Sequence, residues 1–330
     1  MAVAAHAPVI TAGRAGRVET GFLKRLVGGG DPPAPEWAAF FSGSEYRQFL
    51  DVVVADLRRR GFDPQVGDGL VTADTGGEEP MQWGLANLAQ QCNQQDPSQW
   101  EAIVATHFTA LQQMVGRDMD ALAADFEQVR PILRVRLMPD ESMGGVAIGE
   151  AVSRRPASGM IASLVYDFPD STATVHEDHL ARWPVDADEA FDIAIANVRA
   201  EPPPEPETVD ADGVQLRLMA GDSFYVASRA LFLDELLGGG RDGIFAVPNR
   251  HVLIWCPLTD LSVVKAMSPM FQVAVNLFRE GPGSISDQLY WWRGGEFVHL
   301  PHSISGKGIN FVPPDDFVAV LNGLAEPPSR

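Results

Sequence analysis

QLYWWRGGEFVHL, residues 288–300, is the stretch on which the fold turns. Two apolar runs flank Arg293-Gly294-Gly295-Glu296, a hairpin signal because glycine accepts the positive φ that tight β-turns require. Alternation along the first run sends Tyr290 and Trp292 to one face and Leu289 and Trp291 to the other. Both faces are then heavily apolar, and an isolated hairpin of this kind is marginal in water. This leaves two readings. Either the hairpin is buried on both sides, or one face packs on the chain's own core while Tyr290 and Trp292 meet a partner, as rings at interface hot spots do.

Working outward, PILRVRLMP (131–139), GMIASLVYDFP (159–169), VQLRLMA (214–220), IFAVP (244–248) and HVLIWCP (251–257) read as further strands. Helical spacing is expected over 175–183, 187–199, 226–237 and 269–279. Strands and helices interleaved irregularly, with hairpin-like turns, point to an α+β fold: a largely antiparallel sheet with flanking helices. The N-terminal portion is more helical. Ser42-Gly43-Ser44-Glu45 has the form of a capping box, followed by Tyr46, Phe49, Leu50, Val53 and Leu57 at helical spacing until Gly61. A short strand is expected within 67–77 and a helix over 82–93. Asp96-Pro97 opens another helix, with Trp100, Ile103, Val104, His107, Phe108 and Leu111 on its apolar stripe. These patterns divide the chain into a flexible tail (1–36), a helix-rich α/β domain (37–128) and an α+β domain (129–330). The acidic, proline-rich EPPPEPE at 201–207 is either a domain boundary or a long loop.

Acidic residues outnumber basic ones 44 to 25, for a net charge of −19. The average field therefore repels nucleic-acid backbones and anionic lipid surfaces, and neither nucleic acid nor membrane is an expected partner. Arg58-Arg59-Arg60 ends a helix, where positive charge offsets the negative helix end. Cys92 and Cys256 lie far apart in apolar settings and read as buried free thiols of a reducing compartment. With neither a secretory signal pattern nor a membrane-length apolar run, the expected location is the cytoplasm.

Candidate chemistry centres on two HxxH pairs, His176/His179 and His299/His302, whose four imidazoles would bind zinc if they met in space. Against this, Thr174-Val175-His176-Glu177 is itself a capping-box pattern, and Pro301 places the second pair on a strand end or loop. Cys92 with His107 is a weak nucleophile pair, since His107 is expected to face the core. Gly221-Asp222-Ser223-Phe224 resembles an esterase nucleophile block, but no histidine has the Asp three residues before it that this chemistry needs. Ser305-Gly306-Lys307-Gly308 lacks the spacing of a phosphate loop. No catalytic residue and no cofactor is therefore expected.

The segment DFPDSTATVHEDHLARWPVDADEAFDIAIANV at 167–198 stands in a longer pattern. It is joined by PILRVRL upstream and by VQLRLMAGDSFYVASRALFLDELL, GIFAVPNRHVLIW and ISDQLYWWRGGEF downstream. Together these resemble the bacterial YtpQ-like family over residues 131–297, through apolar spacing and turns. The resemblance implies an α+β fold and brings neither an assigned activity nor catalytic residues. The expected function is a non-enzymatic interaction or adaptor module for an unidentified protein partner. The alternative is a metal-dependent hydrolase built on His176, His179, His299 and His302. Whether the chain is an enzyme stays open, with the residue patterns leaning against it.

Overall fold

Ser42 caps the first helix as its spacing predicts. Its Oγ accepts from Glu45 N (3.2 Å) while Glu45 Oε2 accepts from Ser42 N (2.8 Å), so two otherwise orphaned donors are satisfied reciprocally. The computed structural model describes residues 33–74, 80–115, 117–140, 150–169, 171–211, 213–305 and 308–325. Residues 1–32, most of the expected tail, lie outside the described residues, whereas Ala34 and Trp37 pack against buried groups of the N-terminal part. Chain contacts divide the molecule into two units, Met1–Arg117 and Asp118–Arg330.

In the first unit α1 (Gly43–Arg59) is followed by the antiparallel strands β1 (Pro64–Val66), β2 (Leu70–Ala73) and β3 (Met81–Gly84), then α2 (Ala86–Asn93) and α3 (Trp100–Val115). Phe49, Val53 and Leu57 of α1 meet Leu88 and Cys92 of α2 and Val104 and Phe108 of α3 in one core. Residues 82–84, expected as the start of a helix, instead belong to β3 and pair with β2, Trp83 standing opposite Val71. The helix begins only at Ala86. Asp96 Oδ1 accepts from Ser98 N (2.9 Å), and a 3-10 turn, Pro97–Gln99, leads into α3. Arg60 Nε bonds Asp56 Oδ2 (2.6 Å) and Arg60 Nη2 donates to the Ala105 carbonyl (2.7 Å), tying α1 to α3.

The second unit opens with α4 (Met119–Ala123) and α5 (Phe126–Val129), whose Met119, Leu122 and Phe126 pack on the core of this unit. Residues 118–128, grouped with the N-terminal domain by the sequence pattern, therefore belong by contact to the second unit. Next come β4 (Leu133–Pro139), β5 (Ser153–Ala157), β6 (Met160–Phe168) and β7 (Ser171–Thr174), a four-stranded antiparallel sheet centred on β6. After α6 (Glu177–Leu180) and α7 (Ala187–Ala200) a second sheet begins with β8 (Glu207–Ala211) and β9 (Val214–Ala220). It continues through β10 (Asp242–Ala246) and β11 (Val252–Pro257) and, after α8 (Ser262–Glu280), ends with β12 (Leu289–Arg293) and β13 (Glu296–Leu300). Its six strands run in the order β13-β12-β10-β11-β9-β8, all antiparallel. A two-stranded ribbon, β14 (His302–Ser305) with β15 (Gly308–Phe311), and α9 (Asp315–Ala325) close the unit. The fold is α+β, and among the described residues no helix is long and apolar enough to cross a membrane.

The 288–300 hairpin is buried on both sides. Tyr290, Trp292 and Phe297 enter a core shared with the four-stranded sheet and α7. Leu289, Trp291 and Leu300 enter a second core formed with α8 and α9. Strand β11 alternates in the same way, Leu253 and Trp255 to the first core, Val252, Ile254 and Cys256 to the second. Period-two alternation with both faces apolar is what a central sheet between two covering layers requires.

Three helix expectations are corrected. The Thr174 capping box does not form: α6 starts at Glu177 with His176 as a cap that makes no side-chain bond. The Glu177 N–H donates instead to the Glu150 carbonyl (2.8 Å), so the hydroxyl has nothing to cap. Residues 227–236 are 3-10 helix broken at Phe232, not an α-helix. And α8 starts seven residues before 269, with Pro269 inside it; burial of Val263, Ala266, Met267, Met270, Phe271 and Ala274 offsets the missing N–H. The 201–207 segment is an internal loop, held by Glu201 to Arg134 and packed through Pro204 against Gly221.

Candidate functional site

The two HxxH pairs are not brought together. His179 is buried, and its Nδ1 shares a hydrogen bond with the Tyr166 hydroxyl (2.9 Å). His176 lies beside it, ring centroids 6.0 Å apart. His299 Nε2 donates to Gln288 Oε1 (3.0 Å), and the His302 ring packs 4.1 Å from the Phe271 centroid, with its Nδ1 buried and unpaired. Burial depresses the pKa of His179, of His299 and of His302, so each is held toward the neutral form. Of the four, only His179 joins a set of potential metal donors among the described residues. Its companions are Asp120 and Asp178, which the HxxH pattern does not contain. Arg182 already occupies that neighbourhood: its Nη2 lies 2.8 Å from Asp120 Oδ1 and 3.4 Å from Asp178 Oδ2.

Tyr290 and Trp292 are 0 % and 4 % exposed, so neither ring is offered to a partner. Tyr290 is a structural tie. Its hydroxyl donates to the Ser158 carbonyl (3.0 Å) and accepts from Ser286 Oγ (2.7 Å), joining β12 to the β5–β6 turn. Cys92 is fully buried and its thiol is pushed up to about 12 by desolvation, the reverse of nucleophile activation. Gly306 and Lys307 of the glycine-lysine segment lie outside the described residues.

The unusual chemistry of the second unit gathers around Phe224, in the turn after β9. The Arg250 guanidinium carbon lies 4.6 Å from the ring centroid, that of Arg136 lies 5.8 Å away, and the His251 ring centroid 5.8 Å away. Each part is set by local structure. On β4, Leu133, Val135 and Leu137 face the core, so Arg134 and Arg136 share the opposite face. Arg250 and His251 sit in the loop between β10 and β11. There Asn249 Oδ1 accepts from His251 N (3.0 Å), and Asn249 Nδ2 donates to the Leu277 carbonyl at the end of α8 (3.0 Å). Gly283, at φ +74°, lies against the Arg250 stem: a Cβ there would fall 2.7 Å from Arg250 Cδ.

The hydrogen bonds fix the state of His251. Arg250 Nε can only donate, so His251 Nε2 accepts from it (2.9 Å); the Gly221 carbonyl can only accept, so Nδ1 carries the proton (3.0 Å). The ring is neutral. Burial and then the adjacent Arg250 charge push its pKa down to about 4. Arg134 is neutralised by Glu201 (2.7 Å), with Asp167 at 4.0 Å. Asp167 also accepts from the Tyr225 hydroxyl (2.6 Å). Arg136 and Arg250 have no such partner among the described residues. Arg136 Nη1 donates to Thr172 Oγ1 (3.1 Å) and its Nε is buried without an acceptor. Arg250 is 7 % exposed, and its terminal nitrogens have no acceptor among the described residues. Burial, and then the charge of Arg136, push its pKa down to about 9, still cationic at neutral pH. Two cations, the buried Arg250 and the partly buried Arg136, share one aromatic ring.

No model of a known protein family, no curated protein and no solved structure matches the chain. The YtpQ-like resemblance thus rests on the residues that suggested it alone. The signals missed in the sequence were the Arg134–Arg136 alternation on β4 and the Arg250-His251 pair between two apolar strands.

Proposed function

We propose that the chain is a non-enzymatic interaction module that grips an anionic group of a protein partner at Arg136 and Arg250. One observation carries this reading: both guanidinium groups are held on the Phe224 ring without a carboxylate among the described residues. Buried charges are ordinarily paired, since an unpaired one costs several kcal/mol (about 3–5) when its partner is removed. An incoming anion is the missing partner, and arginine's planar fork suits it. The neutral state of His251 and the raised thiol of Cys92 favour binding over acid–base or nucleophilic catalysis.

The test compares wild type with an Arg136→Met/Arg250→Met double variant, both immobilised. A protein retained by wild type, displaced by phosphate or sulfate at matched ionic strength, and lost by a variant that melts no lower is the expected result. Equal retention by both forms overturns the reading. The hydrolase alternative, with His179 beside Asp120 and Asp178 as its residual support, is checked by elemental analysis. One zinc per chain, lost in His179→Ala/His302→Ala, would replace the binding reading with a metal-dependent one.

A further inference from the structure

Resting on that anion-binding reading, we infer that the group held by Arg136 and Arg250 is a phosphomonoester carried on the side chain of a partner protein. The terminal nitrogens of Arg250 have no acceptor among the described residues, Arg136 adds a buried, unpaired Nε, and the two guanidinium carbons lie 4.6 Å (Arg250) and 5.8 Å (Arg136) from the centre of one ring. A carboxylate can accept from two guanidinium groups, as Asp56 does from Arg59 and Arg60, but its single negative charge leaves one of two cations unbalanced. A phosphomonoester brings three acceptor oxygens and close to two negative charges near neutral pH, enough to engage both groups.

The surroundings fit the same ligand. Thr172 Oγ1 accepts from Arg136 Nη1, which leaves its own hydroxyl hydrogen free to donate to a further oxygen. His251, neutral and locked through both nitrogens, neither adds charge nor competes for the anion; it holds the Arg250 fork in place. The half-buried Phe224 covers the apolar side of both guanidinium groups. Asp167 and Glu201 are engaged by Tyr225 and Arg134, and the exposed Asp222 forms no ion pair with either arginine. The net charge of −19 speaks against a polyanion sliding along the surface, and two guanidinium groups at one point are not the basic stripe that a nucleic-acid backbone needs.

The experiment is a calorimetric titration of the full chain with five probes. These are inorganic phosphate, phenyl phosphate, benzoate, an otherwise uncharged heptapeptide with one phosphoserine, and its unphosphorylated counterpart. Phenyl phosphate binding at least about tenfold more tightly than benzoate is expected, because its charge of close to two balances both cations. The phosphopeptide should exceed inorganic phosphate, and the serine peptide should not bind. Arg250→Lys, which keeps the charge but loses the fork, should weaken phosphopeptide binding about tenfold, and Arg250→Met should abolish it. Circular dichroism confirms that each variant is folded; Arg136→Met is the second variant if Arg250→Met is not. Equal affinity for benzoate and phenyl phosphate overturns the phosphomonoester but leaves the anion reading standing. Inorganic phosphate matching the phosphopeptide overturns the protein source in favour of a free small phosphate. If none of the anions binds, both readings fall together.

Discussion

Arg182 and Arg250 carry the same charge in the same unit, yet one is placed among anions and the other beside a second cation. Arg182 reaches two exposed carboxylates, Asp120 and Asp178, and the set is complete as it stands. Arg250 and Arg136 converge on Phe224 and leave donors unengaged. The exposed set lies in high dielectric, where pairing or parting the charges changes little. The buried set lies where like charges repel strongly and desolvation is costly. A fold that holds the second arrangement in place has spent stability on it, and under the proposed function an anion would restore the balance.

The largest expected effect belongs to His251, in the buried cluster. Unfolded, His251 titrates near its ordinary value of about 6.5; folded, it does so only near 4, because burial and the Arg250 and Arg136 charges outweigh Asp222 and the Gly221 carbonyl. Between those values the unfolded chain binds the extra proton. Stability from this group is thus complete above pH 6.5 and lost as pH falls through 4, by about 3 kcal/mol in all. Urea unfolding at several pH values, wild type against His251→Gln, measures it: the glutamine variant should lose less stability across the window. Parallel curves would show that the folded ring is not neutral and would break the account of the cluster.

Gly283 tests the Arg250 stem. A methyl group there would meet Arg250 Cδ at 2.7 Å, at a φ of +74° that alanine adopts with strain. Gly283→Ala should therefore cost about 2 kcal/mol. A melting temperature unchanged in that variant would mean that the stem gives way freely and that Arg250 is not held.

Much of this architecture was open to reading in the residue pattern, and the rest failed for definable reasons. The 288–300 hairpin was legible because its turn and its alternation are local properties. Its burial on both faces was not, since Trp291 and Trp292 look the same whether a core or a partner covers them. Ser42-x-x-Glu45 and Thr174-x-x-Glu177 are the same pattern, but only the first forms a capping box, because the Glu150 carbonyl takes the Glu177 N–H at the second. The two histidine pairs suggested a site by spacing alone and are not brought together, His179 meeting Asp120 and Asp178 instead. Arg136, Phe224 and Arg250 form a cluster by the meeting of β4 with two loops, which no short window of sequence reveals.

A smaller effect of unusual sign is expected at Arg250 itself. Arg250→Met keeps the apolar stem against Gly283 while removing a buried charge whose neighbour is Arg136. It gives up the bond to His251 and the contact of the charge with the ring. Stability at pH 7 should still rise, by about 1 kcal/mol, since replacing buried charge by hydrophobic bulk is often stabilising. Denaturant unfolding decides the sign. A loss of stability would mean that the guanidinium is internally satisfied, and the contrast with Arg182 would dissolve.

The smallest effect belongs to the exposed cluster. Arg182→Met removes its contacts with Asp120 and Asp178, whose side chains are 68 % and 57 % exposed. Water and salt take over the solvation of both carboxylates, so the loss should be under about 1 kcal/mol and should shrink further at high ionic strength. The same variant probes the donor set of Asp120, Asp178 and His179 without its resident cation. Wild type and Arg182→Met are compared by thermal unfolding with and without zinc, at low and high salt. A small, salt-sensitive loss with no zinc response in wild type fits a self-contained ion-pair cluster. A large, salt-independent loss would instead make Arg182 a buried structural charge like Arg250. A zinc-dependent rise in wild-type melting temperature would show that the guanidinium yields to a metal, turning the quieter of the two clusters into the functional one.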